Sequence, residues 1–591
     1  MARARRPSGS AEPDASRREH AGAAAGGLPA AARMLLAGVL ALTALRVLAA
    51  FVPGRWMWGI DLGRDLPAAA FAAGLAVTAL ACVPAAGRWF ARRWGSGHER
   101  VVTAVCAVAL ALFAWNSPDR ALYTGDASLR HGAFAQVSNP EILAEQALRG
   151  DLVLHHAVPR WVADHTPWTS DQGGRALGAL LAGLTVFAGW RLATTAGARG
   201  MSALAAAAIA ACSGALALDN GYGKASVEVA ALTSVMAVGV VRLTQTGSGL
   251  GAVGVPLGLA LLLHRSSLTL LPVWLAGVVV AARAGRLRSR EALAGLAAPV
   301  LALAVTGPRL WAVISTFDAT HHAAGGVGAT LAAMLSPLRV LDSVNTLLLL
   351  VPLVAMLPLL VALRPRFTRL EAALAVVFVL PPLALLFVVQ LQHELPRDWD
   401  VFAFTGAAVA AVAAWRVAQL FAARPPLRVA APALLLAAAL PALQWASLQS
   451  DPERLWTRAE SILAGPPARR ASDIADGLGT IGMMRLGRGQ AEAALKLFER
   501  SAEAAPNPRI FVQAGMAETV LGRPDRAMER YLYAASLNPD LNTAWRGVAA
   551  AASALGDRER MLQASVQLAR LEPGGSTLQQ AREWLEANPA K

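Results

Sequence analysis

Over the first three quarters of the chain, apolar residues fall in long blocks separated by short polar clusters rich in arginine, glycine and proline. The first block, Ala32 to Val52, is long enough to cross ~30 Å of hydrocarbon as one helix. No small-residue cleavage site with a polar sequel follows it, so it reads as a retained span. Further blocks near 66–86, 101–116, 175–193, 200–218, 225–243, 250–263, 268–282, 291–306, 345–363, 370–390, 401–421 and 427–446 bring the expectation to about thirteen transmembrane helices. The runs 250–263 and 268–282 are short, which predicts tilted, broken or re-entrant segments. After Gln449 the long blocks end. The pattern predicts an all-α chain with three parts: a disordered basic arm over 1–31, a polytopic helical membrane domain over 32–446, and a soluble helical domain over 450–591.

The soluble part repeats itself. Leu486-Gly487, Leu521-Gly522 and Leu555-Gly556 recur at intervals of 35 and 34 residues. Downstream of each lie a small residue, a larger one four positions later and a proline: Ala494, Phe498 and Pro506, then Ala527, Tyr531 and Pro539. The third set, Met561, Ser565 and Pro573, departs from that pattern and predicts looser packing. Phe511 with Gly515 and Trp545 with Ala549 fit the preceding helices. This is the signature of tetratricopeptide repeats over about 475–574, with an amphipathic helix from Thr577 to Asn588 as the cap. Such an α-solenoid exposes a concave groove suited to a peptide or a partner helix, so this domain is expected to bind a protein partner or acceptor rather than to catalyse.

Composition agrees with a membrane chain: 55% of residues are hydrophobic, 16% are charged and the mean hydropathy is +0.45. The three cysteines, Cys82, Cys106 and Cys212, lie inside apolar runs and exclude a disulfide-stapled scaffold. A net charge of +15 might point to nucleic acid were it not for its distribution. Past Gln449 the balance is 18 basic to 17 acidic residues, and the excess sits in the arm and in alternate loops of the membrane domain. One set of loops holds Arg88, Arg92, Arg93, Arg100, Arg191, Arg199, Arg242, Arg283, Arg286, Arg288, Arg290, Arg364, Arg366, Arg369, Arg416, Arg424 and Arg428. The positive-inside rule makes these cytoplasmic and no nucleic-acid partner is implied. The other set, 53–65, 117–174, 219–224, 264–267, 307–344 and 391–400, is then extracytoplasmic, as is everything after Gln449. In a bacterium that means an inner-membrane protein with a cytoplasmic amino terminus and periplasmic repeats.

Titratable residues gather in that second set. It holds eight of the ten histidines, His131, His155, His156, His165, His264, His321, His322 and His393. The extracytoplasmic loop 117–174 is too long for a connector and predicts juxtamembrane helices; it carries Tyr123-Thr124-Gly125-Asp126, an acid just beyond a membrane exit, equally placed to be a general base, a metal ligand or a helix cap. Trp161 and Trp168 suit an interfacial belt or stacking on a sugar. The turn Gly221-Tyr222-Gly223-Lys224 offers a cation, and Glu228 lies about one turn into the next helix, a costly place unless it faces a polar cavity. His264-Arg265-Ser266-Ser267 joins two apolar runs with no acid close in sequence, so its guanidinium suits a phosphate, lipid head groups included. The densest cluster is His393-Glu394-Leu395-Pro396-Arg397-Asp398-Trp399-Asp400. His393 with Glu394, and Asp398 with Asp400, are candidate ligands for a divalent cation, although no spacing here is diagnostic of one. Asp318 followed by Thr320-His321-His322 is a lesser candidate, set among Gly325, Gly326 and Gly328.

Many helices, an early extracytoplasmic loop with an acid, and the segments Gly125-Asp126, Gly221-Tyr222-Gly223 and Arg397-Asp398-Trp399-Asp400 resemble the GT-C superfamily of membrane glycosyltransferases, nearest to the protein O-mannosyltransferase and aminoarabinose transferase group. The resemblance covers about residues 32–446. It implies an inverting transfer from a polyprenyl-phosphate sugar, with Asp126 as base and Lys224, Arg265 and Arg397 on the lipid phosphate. Tyr222, Glu228, His264, His393, Glu394, Asp398 and Asp400 complete the expected substrate site. Two features depart from the family: the acid loop follows the third span, and it holds one Asp where many members carry an acidic pair. Asp61 and Asp65, in the first outward loop, are the rival acids. An O-antigen ligase or polymerase, a non-catalytic scaffold for the repeats, and a transporter are the other classes that fit part of the pattern. The last is disfavoured because Arg46 is the one clear charge in mid-span.

Overall fold

In a computed structural model of the chain, the described residues are 28–94, 97–134, 145–321, 331–389, 391 and 393–589, and among them there is no strand. Most of the expected basic arm, His322 and the glycines beside it lie outside the described residues. The chain divides into two compact units, the first running to Ser450 and the second from Asp451 to Lys591 together with the short segments Pro53–Trp56 and Ala121–Thr124.

All thirteen apolar blocks of the first unit are helical. Among the described residues nine helices are long and apolar enough to cross a membrane, and eleven if each of two bent pairs makes one span. The pairs are Ala68–Ala81 with Pro84–Phe90, bent by 80°, and Pro337–Leu350 with Val354–Ala362, bent by 98°. The block read as a span over 200–218 proves shorter: its helix, Met201–Ala211, stops at Cys212, and Ser213 caps a separate 3-10 turn over Gly214–Leu218. At 1.5 Å per residue an 11-residue helix reaches only about 17 Å. The run at 268–282, in contrast, gains a 3-10 turn from Arg265 and reaches 19 residues.

Local sequence explains the helix ends. Thr169 with Gln172 and Thr368 with Glu371 form capping boxes, and Ser289 caps the helix that follows it. Small residues then set the packing. The Leu250–Leu263 helix lies so close to Arg290–Val313 that a Cβ on Gly254 would stand 1.9 Å from the Gly295 carbonyl oxygen, a contact open only to glycine. Arg46 is held by carbonyl dipoles rather than by an acid: its guanidinium donates to the carbonyls of Pro352, at 3.2 Å, and Ala437, at 3.4 Å. Pro352 sits in the break of a bent pair, where carbonyls lack helical partners. Arg416, assigned to a loop by charge alone, is instead buried within the Ala403–Ala423 helix and donates to the carbonyls of Leu360, Leu363 and Pro365.

The second unit is a run of antiparallel helix pairs: Pro452–Ala464, Ala471–Leu486, Ala491–Ala504, Pro508–Val520, Pro524–Leu537, Asn542–Leu555, Arg558–Leu571 and Ser576–Ala587. The repeat-register residues Ala494, Phe498, Ala527, Tyr531, Trp545 and Ala549 are all buried, as the solenoid pattern requires. Met561 and Ser565 are buried too, so the departure in the third repeat leaves no opening there. Leu578 and Ala581 of the last helix close the core. At the other end Trp456 is fully buried and donates to the Ala121 carbonyl at 3.0 Å, while Arg55 Nε donates to Ser461 Oγ at 2.7 Å.

Candidate functional site

The first unit folds three of its loops onto one another around Gly125. This residue has φ +49°, its N–H donates to the Arg397 carbonyl at 3.0 Å, and a Cβ placed on it would stand 2.3 Å from Tyr222 Oη and 2.5 Å from Asp400 Oδ1. Glycine is needed here twice over, for the left-handed backbone and for the close approach. The turn hands Asp126 to Lys224, whose Nζ lies 2.9 Å from Asp126 Oδ2 and 3.0 Å from Asp400 Oδ2. Tyr222 Oη donates to Asp400 Oδ2 at 2.8 Å and accepts from the Asp126 N–H at 3.2 Å.

Exposure separates the two carboxylates. Asp400 is 0% exposed and serves as an internal counter-charge, whereas 30% of the Asp126 side chain remains open. Burial alone would raise the Asp126 carboxyl, but the charges of Lys224 and Arg130 outweigh it and hold the group well below the usual carboxylate range. Burial likewise works to discharge Lys224, and Asp126 and Asp400 reverse it, keeping the ammonium charged. Tyr222 is pushed above the usual phenol range by burial and then by Asp400, so it stays a neutral donor.

Behind this triad lies a second network. Arg130, one helical turn after Asp126, donates to Asp151 at 2.8 and 3.1 Å and to the Gly223 carbonyl at 2.7 Å. It therefore ties the acid loop to the Lys224 turn. Burial of Asp151 is outweighed by Arg130, and its carboxyl too is lowered. His155, in a turn of π-helix over Val153–Ala157, donates from Nε2 to Glu228 at 3.1 Å. Glu228 thus faces a polar partner inside its helix, the condition its placement demanded.

Asp126, Lys224, His264, Arg265, His393 and Asp398 line one cavity of about 290 Å³, together with Arg130, Asp151 and Ser266. The other wall is apolar, built from Leu268, Ile314, Phe317, Leu385, Val389 and Leu391. His264 is driven below the usual imidazole range by burial and then by Arg265, and its Nδ1 accepts from the Ser266 N–H at 3.2 Å, which leaves the proton on Nε2. Arg265 is corrected by the structure: it has an acid after all, since a second turn of π-helix, Ile314–Asp318, brings Asp318 within 2.8 Å of its Nε. Its Nη1 also donates to the Gln146 carbonyl at 3.0 Å.

Arg397 stands behind the cavity, with Nη1 3.4 Å from His393 Nδ1. Glu394 does not line it; its carbonyl accepts the N–H groups of Arg397 and Asp398. Asp61 and Asp65 lie elsewhere, on a loop anchored by Trp58 Nε1 donating to Asp342 at 2.8 Å. Trp161 and Trp168 are exposed and do not reach the cavity. Among the described residues no three His, Cys, Asp or Glu side chains converge as metal ligands. Sequence reading passed over Arg130 and Asp151 as site residues. The available signals were the four-residue spacing of Arg130 from Asp126 and of His155 from Asp151, which puts each pair on one helix face.

No protein-family model matches the chain, and no curated protein matches it. Several solved structures overlap with parts of it, and two of them illustrate the range. One is ArnT from Cupriavidus metallidurans bound to undecaprenyl phosphate, 14% identical, with a TM-score of 0.38, covering 76% of this chain and 81% of that one. The other is the first tetratricopeptide domain of Spaghetti (RPAP3) bound to an HSP90 peptide, 23% identical, with a TM-score of 0.19, covering 20% of this chain and 94% of that one. Overlap of this extent assigns no activity.

Proposed function

We propose that the chain is an integral-membrane glycosyltransferase that moves a sugar from a polyprenyl-phosphate donor to an acceptor hydroxyl on the extracytoplasmic face. The observation that carries this reading is the cavity itself. Segments far apart in sequence, from loops assigned to the outer face and from the helix ends beside them, bring together several cations, an apolar wall and carboxylates of which Asp126 is the most exposed. An amphiphile with an anionic head matches that lining, with phosphate at Lys224 and Arg265 and hydrocarbon along Leu385, Val389 and Leu391. The acceptor oxygen attacks the anomeric carbon and inverts it, its proton passes to Asp126, and the sugar–phosphate C–O bond breaks with its electron pair leaving on phosphate. Lys224 couples the two ends. While it pairs with Asp126 the carboxylate is a weak base; when the donor phosphate draws the ammonium away, Asp126 becomes more basic as the leaving group gains its counter-charge.

In this reading the amino terminus is cytoplasmic, and the repeats lie outside, where they bind a partner or the acceptor. The membrane would be the bacterial inner membrane. Purified protein in proteoliposomes, supplied with polyprenyl-phosphate sugars, tests the chemistry: Asp126→Asn abolishes transfer while elution stays at the wild-type value and melting falls only by the loss of the Lys224 pair. Wild-type transfer by that variant would remove Asp126 from the reaction. Alkaline phosphatase fused after Gln449 tests the topology, with activity expected and an inactive fusion reversing the orientation.

A further inference from the structure

A larger cavity lies in the first unit, away from Asp126. It measures about 480 Å³, and its wall is almost wholly apolar, including Phe90, Trp94, Leu110, Phe113, Leu204 and Leu443. Three candidate spans contribute to it, Glu99–Asn116, Ser170–Thr195 and Pro425–Gln449, so it sits at hydrocarbon depth. A polar hollow of about 300 Å³ lined by Arg100, Arg191 and Arg199 lies one helical turn from it. Val102 and Thr103 of the apolar cavity lie one helical turn from Glu99 and Arg100 of the hollow, and Val186 lies one turn from Trp190.

With three arginines against one acid, the hollow carries an excess of positive charge. Its one acid, Glu99, accepts the Gly200 N–H at 2.6 Å. Arg199 is held by the carbonyls of Thr194 and Ala198, both at 2.8 Å, and Arg191 lies 5.8 Å from the centroid of the Trp190 ring. Among the described residues none of the three arginines has an ion pair, and all three are exposed. The Pro84–Arg93 helix, which sets Phe90 in the apolar wall, turns 80° from its span and carries Arg88, Arg92 and Arg93 next to Trp89 and Phe90, the composition of a helix lying at the head-group level. Arg175, whose side chain packs on Gly221 of the Lys224 turn, and Arg191 lie about 24 Å apart along the axis of the Ser170–Thr195 helix, which puts the hollow at the opposite end from the Asp126 cavity.

We propose that this pair of hollows holds an anionic phospholipid, with one acyl chain in the apolar cavity and the phosphate among Arg100, Arg191 and Arg199. The site is independent of the chemistry at Asp126. The test is native mass spectrometry of the full chain released from membranes of equal phosphatidylglycerol and phosphatidylcholine. Phosphatidylglycerol is retained preferentially, Arg100→Gln with Arg191→Gln lowers that preference roughly 30-fold, and Ala208→Trp in the cavity wall lowers retention of both lipids. Equal retention of the two lipids by the wild type, or an unchanged preference in the arginine variant, overturns the proposal. Displacement of the lipid by glycerol phosphate alone would reduce the site to its head group and overturn the acyl assignment. The wild-type protein gives a second arm that needs no variant: phosphatidylglycerol with a photoreactive acyl chain labels peptides 102–113 and 201–212, and labelling confined to other segments refutes the site.

Discussion

Removing the Arg130 charge tests the second network directly. Its guanidinium and the Asp151 carboxylate are 5% and 2% exposed and share two hydrogen bonds, so solvent neither screens the pair nor replaces a lost partner. Arg130→Met leaves Asp151 charged and buried and frees the Gly223 carbonyl, a loss of about 3–5 kcal/mol. Asp151→Leu costs less, ~3 kcal/mol, because Asp126 still faces the arginine. The double variant Arg130→Met/Asp151→Leu removes both charges of the pair and leaves neither partner buried alone. It is expected to lie well short of the sum, with a coupling of at least ~2 kcal/mol. Unfolding equilibria in mixed SDS micelles, followed by tryptophan fluorescence, give all four corners of the cycle. Single variants that each cost under ~1 kcal/mol, or strictly additive costs, would show that the pair is not a buried tie and sink the reasoning.

Two further outcomes follow from the same geometry. Gly125→Ala combines a left-handed alanine with a Cβ 2.3 Å from Tyr222 Oη, which costs about 2–4 kcal/mol and separates Asp126 from Lys224; thermal melting and transfer assays should both fall. Lys224→Met leaves burial less opposed at Asp126. In the wild type that lowered carboxyl contributes stability above the unfolded-state value of 3.8, and the contribution is lost as pH falls through the lower folded-state value. The variant's carboxyl moves up, so its stability deficit should narrow as pH drops from 7 towards 4, as measured by unfolding across that range. Lys224 itself is raised, and its contribution is present below 10.5 and lost only above that value.

Helix positions were legible because their cause is local. A run of apolar residues matched to bilayer thickness forms a helix wherever it lies, and the repeat register of Ala494, Phe498, Ala527 and Tyr531 states its own packing. Gly125-Asp126, Tyr222, Lys224 and Asp400 were legible as polar residues at loop positions, although nothing in their spacing showed that they touch. The misreadings have a common source. Arg265 seemed unpaired because Asp318 is far along the chain, and Arg416 seemed a loop residue because the carbonyls that accept from it belong to the end of another helix.

By itself the sequence determined the helices, the two regimes of the chain and which loops carry titratable groups, since those depend on the period and length of apolar runs. The tertiary structure decided which charges neighbour which, and which are buried. It made Asp400 a closed counter-charge and left Asp126 open, although by sequence both read as loop aspartates. The reason is physical: the energy of a charge depends on its distance to partners and on the solvent it loses, and the fold alone sets both.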